Sequence, residues 1–481
     1  MSRRVLGAVR ARVVAAMLTQ ALPALLHAQV SPAEYQHRRA ALLARLPDGV
    51  VLALGGHEPV EDYLSFYQTP DFNYLTGVLE PDAVLVMVKR GGAVASTIFV
   101  QPRDPAREVW TGARLGVDGV RQRTGLAGRE IADLGAVLDS LAGTGLPLFA
   151  IGDFPREEPG SALDNLTRDQ QFLMHFRQRH PGLAVTVASG RVEQLRGTKS
   201  AAELALIRKS AEITAAAQRE AMRALKAGMY EYELQALIEY TFRRNGADRP
   251  SFATIVGSGP NATTLHYNLD DRRIEVNDVV VMDIGASYAG YAADVTRSIP
   301  ASGIYSPEQR AVYQIVRDAQ AAAERQARPG AEARLMSDSA TAVLAAGLAR
   351  LGLIDSPGAT YDCGTDGRLG VCPQYMLYYM HGLGHGIGLE VHDPEQYYWS
   401  QRLAPGSAFT IEPGIYVRAD VLDVLPDTPG NRTLAARLRP AVQRYRNIGI
   451  RIEDDYLVTA QGVEWISRAP RELAEIEAAM R

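Results

Sequence analysis

At 481 residues, 47% hydrophobic and 22% charged, the chain has the composition of a folded protein with length for two or three full cores, which excludes disorder as its default. A formal net charge of −4 supplies no basic surface of the kind nucleic acid demands, so nucleic acid is not expected as a partner. No apolar run reaches the ~20 residues needed to cross a bilayer, and no membrane span is expected.

In chain order, residues 1–28 come first and read as a signal peptide. Arg3, Arg4, Arg10 and Arg12 precede an uncharged stretch, residues 13–26, and the segment ends in LHAQ, the pattern of an export signal cleaved after Ala28. Arg3 and Arg4 followed by Val5 and Leu6 are faintly similar to a twin-arginine signal. Loss of these four arginines takes the formal charge from −4 to −8, and the mature protein is expected to be periplasmic or secreted.

Residues 29–196 read as a smaller α/β domain, with apolar strands near residues 50–54, 83–88 and 97–100. Residues 66–87 are aromatic and turn-rich, which packing accounts for. Residues 163–180 carry mixed charges with Phe172, Leu173 and Phe176 at helical spacing and predict a solvated helix. Neither segment holds a metal-ligand cluster.

Thr198, Lys199 and Ser200 then mark a boundary. Ser200 can cap a helix, with Glu203 three residues on and Leu204, Ile207 and Ala211 following at helical intervals. Long helices are predicted at residues 201–225, 231–245, 307–327 and 334–351. With strand-like pieces between and after them, residues 197–481 are expected to form an α+β layer arrangement around a largely antiparallel sheet.

Four stretches of this second half carry acids and histidines. Residues 276–298 read as an apolar hairpin bearing Asp283 and Asp294. Folded between Tyr288 and Ala289, it would set the two acids directly opposite each other, Cβ atoms roughly 5 Å apart. Two like charges in that relation call for a cation between them or a retained proton. Residues 380–393 hold His381, His385 and His392, with glycine at every second position from Gly382 to Gly388, which argues against a helix. A strand over residues 408–417 delivers Glu412 just before Pro413 and Gly414. Finally Ile448, Ile450 and Ile452 alternate with Gly449, Arg451 and Glu453, putting Arg451 and Glu453 on the opposite face.

Asp283, Asp294, His385, Glu412 and Glu453 together suit two divalent ions ~3.5–4 Å apart, able to polarise a carbonyl. Mostly oxygen donors favour manganese, with zinc or cobalt possible. Cys363 and Cys372 are the only cysteines. They close a small loop in an oxidising compartment and stay free thiols otherwise.

At these residues the chain resembles the pita-bread metallopeptidases, and within them the aminopeptidase P family. The strings that carry the resemblance occur in order: VVVMDIGASYAGYAADVTR, HGLGHGIGLEVHD, TIEPGIY and GIRIEDD in the second half, DFNYLTGVLEPDAVLV and QPRDPAREVWTGARLG in the first. The resemblance implies a C-terminal pita-bread domain behind a smaller α/β domain. It also implies a dinuclear ligand set of Asp283, Asp294, His385, Glu412 and Glu453. His266, His381 and His392 match histidines that position substrate and stabilise a tetrahedral intermediate, Arg451 an arginine that orients ligands, and Glu412 a proton shuttle.

The implied reaction is hydrolysis of the bond between an N-terminal residue and a following proline, with peptides as partners and a homodimer or homotetramer as the assembly. A dipeptide-specific prolidase is the alternative within enzymes, and a metal-free peptide-binding protein of the same fold the alternative outside them. Two kinds of departure stand out. Tyr67 and Asn73 occupy positions where relatives often have arginine and tryptophan. The Cys363–Cys372 segment and residues 420–446 resemble insertions, expected to border the cleft.

Overall fold

The computed structural model describes residues 30–154, 166–365, 368–394 and 402–481. Residues 1–28, read above as a signal peptide, lie outside them.

The first domain is built on six strands: β1 (Gly49–Leu54), β2 (Val84–Arg90), β3 (Ala93–Val100), β4 (Ala127–Glu130), β5 (Leu148–Ile151) and β6 (Val185–Val187). They lie in the order β4-β3-β2-β1-β5-β6. β1 pairs antiparallel with β2 and parallel with β5. Every residue of β1 is buried because helices cover both faces. Val51 and Ala53 enter one core with Phe72 and Leu75, while Val50, Leu52 and Leu54 enter another with Leu138, Leu173 and Phe176. A strand buried on both sides must be apolar throughout, which is how this one reads. The helix Arg168–Arg179 is therefore only partly the solvated helix expected: Leu173 and Phe176 are core residues.

Ser200 caps the helix Ala201–Ala224 in a capping box with Glu203. The helices Glu231–Arg244, Pro307–Gln326 and Arg334–Arg350 follow. One continuous core joins all four to the strands, with Phe242, Val280, Val316, Leu344, Ile415 and Ile450 among its members. The α+β expectation stands, and each predicted helix is present to within a residue or two.

The central hairpin corrects the predicted register. Strand Val279–Ile284 pairs antiparallel with Val295–Pro300, and Asp283 faces Thr296 rather than Asp294. The reason is the turn. Tyr288 pairs with Tyr291, leaving Ala289 and Gly290 as the central residues, both left-handed at φ 50° and 83°. A two-residue hairpin turn of this hand needs positive φ at both positions, and glycine takes one of them without strain. A slip of two residues preserves parity. Asp294 therefore stays on the face of Asp283, as a diagonal neighbour.

The supposed insertions are also ordered. Cys363 and Cys372 form a disulfide, Cα atoms 5.7 Å apart, across a hairpin of Thr360–Thr365 and Arg368–Pro373. Gly364 and Gly370 had hidden its strand period. In residues 420–446, the helix Pro429–Tyr445 sends Leu434, Leu438 and Val442 into the main core. Thr428 Oγ1 and Asn431 Nδ2 donate to the Asp362 carboxylate and carbonyl at 2.5 and 2.8 Å. The two segments dock on each other, and the second belongs to the core rather than to a separable cleft border.

Candidate metal centre

Four acids at or beside strand ends and one glycine-rich loop converge on a buried pocket. Asp283 is the penultimate residue of one hairpin strand and Asp294 precedes the other. Glu412 follows Ala408–Ile411, and Glu453 lies between Ile448–Arg451 and Asp454–Val458. His385 comes from an irregular segment that needs glycine for packing: a Cβ at Gly384 would sit 2.1 Å from the Thr410 carbonyl oxygen. Paired against the strand, with Thr410 N donating to His385 O at 2.9 Å, the loop points its imidazole into the acids.

The side chains meet closely. Donor atoms of Asp294, His385 and Glu453 all lie within 4.8 Å of one another. His385 Nε2 is 3.4 Å from Asp294 Oδ2, 3.6 Å from Glu412 Oε1 and 3.7 Å from Glu453 Oε1. Its Nδ1 is 3.1 Å from the Gly386 carbonyl oxygen, an acceptor, which fixes the proton on Nδ1 and leaves a lone pair on Nε2. Burial and neighbouring His392 push the imidazole pKa down to about 3. A neutral nitrogen lone pair thus faces three carboxylate oxygens. Burial, then mutual repulsion, raises the acids. Glu453 is pushed up to about 8, and Asp294 and Glu412 stand well above the carboxylate range.

Divalent cations fit this donor set. Asp283 Oδ1, Asp294 Oδ1 and Glu453 Oε1 are buried and have no hydrogen-bond partner. Buried anionic oxygens without partners are costly, and cations would satisfy them together with the lone pair on His385.

Around the acids runs a network that joins Arg451 and His381 to Thr296 and Tyr416, which the sequence did not single out. Arg451 reaches Asp283 Oδ2 at 2.5 Å, Thr296 Oγ1 at 3.2 Å and Tyr416 Oη at 2.8 Å. Thr296 Oγ1 donates to Glu453 Oε2 at 2.7 Å. His381 Nδ1 lies 2.7 Å from the Gly382 carbonyl oxygen and Nε2 lies 2.9 Å from Tyr416 Oη, so the tyrosine donates to Nε2. Burial lowers the His381 pKa to about 4. Asp455 accepts from Asp294 N at 3.2 Å. Tyr416 and Thr296 were within reach of sequence reasoning, since each shares strand parity with an identified acid, Glu412 or Asp294.

His392 lies beside His385, ring centroids 4.3 Å apart. His266 is exposed, and its neighbour Leu265 accepts from Arg451 Nη2 at 3.3 Å. The nine predicted site residues, Arg451 among them, therefore lie in or beside one pocket. The loop carrying His392 is clamped from the first domain: Arg196 Nη1 donates to Asp71 at 2.7 Å and Nη2 to Glu390 at 2.5 Å, and Nη2 also forms an ion pair with Asp393 at 2.9 Å.

Comparison with known proteins agrees with this geometry. The model of metallopeptidase family M24 matches residues 205–460, and that of the aminopeptidase P N-terminal domain matches residues 35–146. The Xaa-Pro aminopeptidase of Escherichia coli K12 is 34% identical over 94% of the chain and 98% of its own length. The human Xaa-Pro dipeptidase is 31% identical over 90% of the chain and 89% of its length. Among solved structures, the Pseudomonas aeruginosa aminopeptidase PepP superposes with a TM-score of 0.76 at 32% identity, over 94% of the chain and 98% of its own.

Proposed function

The chain belongs to metallopeptidase family M24 and carries an aminopeptidase P N-terminal domain, and on that premise we propose that it is an Xaa-Pro aminopeptidase releasing the residue that precedes proline. One observation carries the proposal: a neutral His385 nitrogen set against Asp294, Glu412 and Glu453 oxygens in a buried pocket. Two divalent cations would be held by Asp283, Asp294, His385, Glu412 and Glu453. Bound there, they would supply positive charge that polarises the scissile carbonyl and lowers the pKa of water. The oxygen-rich donors favour manganese, ahead of zinc or cobalt.

The remaining roles belong to the chain's own side chains. Arg451 pairs with Asp283 and holds its carboxylate aimed inward. Glu412, whose Oε2 lies 3.8 Å from His381 Nδ1, is assigned the taking and returning of the proton, the shuttle role that the resemblance implies. A bond to proline has no amide hydrogen, so substrate must be held by its carbonyl and the shape of its ring. The resemblance gives His266, His381 and His392 the role of positioning that carbonyl and stabilising the charge it develops.

Export is supported by the pattern of residues 1–28 and by the Cys363–Cys372 disulfide, which suits an oxidising compartment. A homo-oligomer is supported by Val109 and Trp110, which are 81% and 76% exposed on a helix, Pro105–Thr111, with no buried residue.

The test is turnover of a tripeptide with proline second, with and without added manganese, on the mature protein and on Asp294→Asn. Metal-dependent release of the first residue, lost in the folded variant, is expected; no turnover at saturating manganese would overturn the proposal. Likeness to the human Xaa-Pro dipeptidase supports a second reading, and preference for an Xaa-Pro dipeptide over the tripeptide would select it.

A further inference from the structure

Away from the acids, a cavity of about 810 Å³ lies between the two domains, and none of the proposed metal ligands lines it. One wall is the first helix, Pro32–Ala44, with the aromatic residues Phe66 and Tyr67; the other is the hairpin turn at Ala289 and Gly290 with the loop Leu389 to Val391. Its charge is unbalanced. Four arginines line it, Arg38, Arg39, Arg123 and Arg249, against two carboxylates, Asp248 and Glu390.

Local pairing removes one charge of each sign. Arg38 is held by Glu34 and Glu203 at 2.5 and 3.1 Å, and Glu390 by Arg196. Among the described lining residues, Arg39, Arg123 and Arg249 then face Asp248 alone. Arg39 is the informative one. It is 6% exposed, its Nη1 donates to the Leu75 carbonyl at 2.9 Å, burial lowers its pKa, and no carboxylate among the described residues pairs with it. A buried guanidinium that has a carbonyl but no counter-charge is costly unless an anion reaches it. Arg249 lies over the Tyr67 ring at 3.9 Å, a cation held against an aromatic face whose donors have no carboxylate partner among the described residues.

We propose that this cavity is a binding site for a small organic anion whose carboxylate, sulfonate or phosphate sits among Arg39, Arg123 and Arg249 and whose flat apolar body packs beside Phe66 and Tyr67. The site goes beyond the peptidase reading and does not depend on it. Its ligand would touch both domains and the loop that leads into His392, so occupancy stabilises the two as one unit.

Benzenesulfonate is a suitable probe, because a sulfonate is a poor ligand for divalent metals and leaves the acid cluster alone. Titrated calorimetrically into the metal-loaded full chain, it is expected to bind saturably at one site per chain and to raise the thermal midpoint. Arg123 is exposed and Arg249 half-buried, so Arg123→Gln and Arg249→Gln should fold. Each is expected to weaken binding at least tenfold, which is about 1.4 kcal/mol. Arg39→Lys, which keeps the charge, should bind more tightly than Arg39→Gln. Benzoate and phenyl phosphate then distinguish a carboxylate from a phosphate ligand. The proposal is overturned if the wild-type chain shows no saturable binding, if both surface variants bind like wild type, or if Asp294→Asn abolishes binding and so locates the anion at the metal centre.

Discussion

Arg451 Nη2 and Asp283 Oδ2 lie 2.5 Å apart inside a pocket where four carboxylates converge. This ion pair sets a cation against one acid of the cluster, while burial and mutual repulsion push Asp294, Glu412 and Glu453 toward protonation. Removing the guanidinium leaves Asp283 buried and uncompensated and frees Thr296 and Tyr416 together. Arg451→Gln is expected to lower metal affinity roughly 10- to 100-fold and to lower kcat more than it raises KM. Manganese titration followed by tripeptide kinetics checks this, and an unchanged metal isotherm would remove Arg451 from the positioning role.

The acids also predict how the metal-free protein responds to pH. Glu453 has its folded pKa raised from 4.5 to about 8, so between those values the folded state holds a proton that the unfolded chain has released. Stability is therefore greatest below pH 4.5, as far as this group is concerned, and falls as pH rises to about 8, with a limiting slope of ~1.4 kcal/mol per pH unit. Chelator-treated protein should melt lower at pH 8 than at pH 5. Manganese should restore more of the midpoint at pH 8, where it replaces repulsion with pairing. A metal-free midpoint independent of pH would contradict the clustering.

Much of this centre was legible before any coordinates. Period-two strands ending in acids, and histidines among glycines, are local patterns that show where buried charge must go. The hairpin register was not legible, because it depends on which two residues accept left-handed backbone, and Ala289 does so only with Gly290 beside it. The helix Pro429–Tyr445 was hidden in another way. Pro440 lies inside it, and a proline within a helical pattern reads as a break. Arg196 acts through partners far away in sequence, Asp71, Glu390 and Asp393, which no local pattern displays.

The disulfide gives a prediction of the opposite kind, a covalent link that chemistry at the metal does not need. Cys363 and Cys372 are 9 residues apart, so the loop they close contributes at most roughly 3 kcal/mol by restricting the unfolded chain. Their hairpin docks on the core helix Pro429–Tyr445 through Asp362. Cys363→Ser with Cys372→Ser is expected to lower the thermal midpoint while leaving manganese stoichiometry intact. Loss of metal in a folded double variant would mean that the hairpin supports the centre directly.

His57 reports on the first domain alone. It lies 2.8 Å from Asp169 and 3.1 Å from Asp82, and hydrogen bonds to these two carboxylates raise its pKa to about 9. The stabilisation is complete below the unfolded value of 6.5 and is lost as pH rises through 9. Because the imidazole is partly solvated, the effect is small, under ~1 kcal/mol. His57→Gln should flatten the decline in thermal midpoint between pH 7 and pH 9.5, and an unaltered decline would show that the pair is screened out.

Gly384 tests how tightly the loop must hold its histidine. A methyl group there would meet the Thr410 carbonyl oxygen at 2.1 Å, and Thr410 is backbone in a buried strand that cannot move aside. The loop must then lift away from Ala408–Ile411, breaking the bond from Thr410 N to the His385 carbonyl and the one from His385 N to Thr410 Oγ1. His385 would shift relative to the Asp294, Glu412 and Glu453 oxygens that now surround Nε2. Overpacking of this kind typically costs ~1–3 kcal/mol of stability, while a displacement of about 1 Å at a reacting centre can cost about 100-fold in rate. Gly384→Ala should therefore remain folded, bind manganese more weakly and lose most of its turnover. Wild-type metal affinity in that variant would mean that the loop repacks without moving His385.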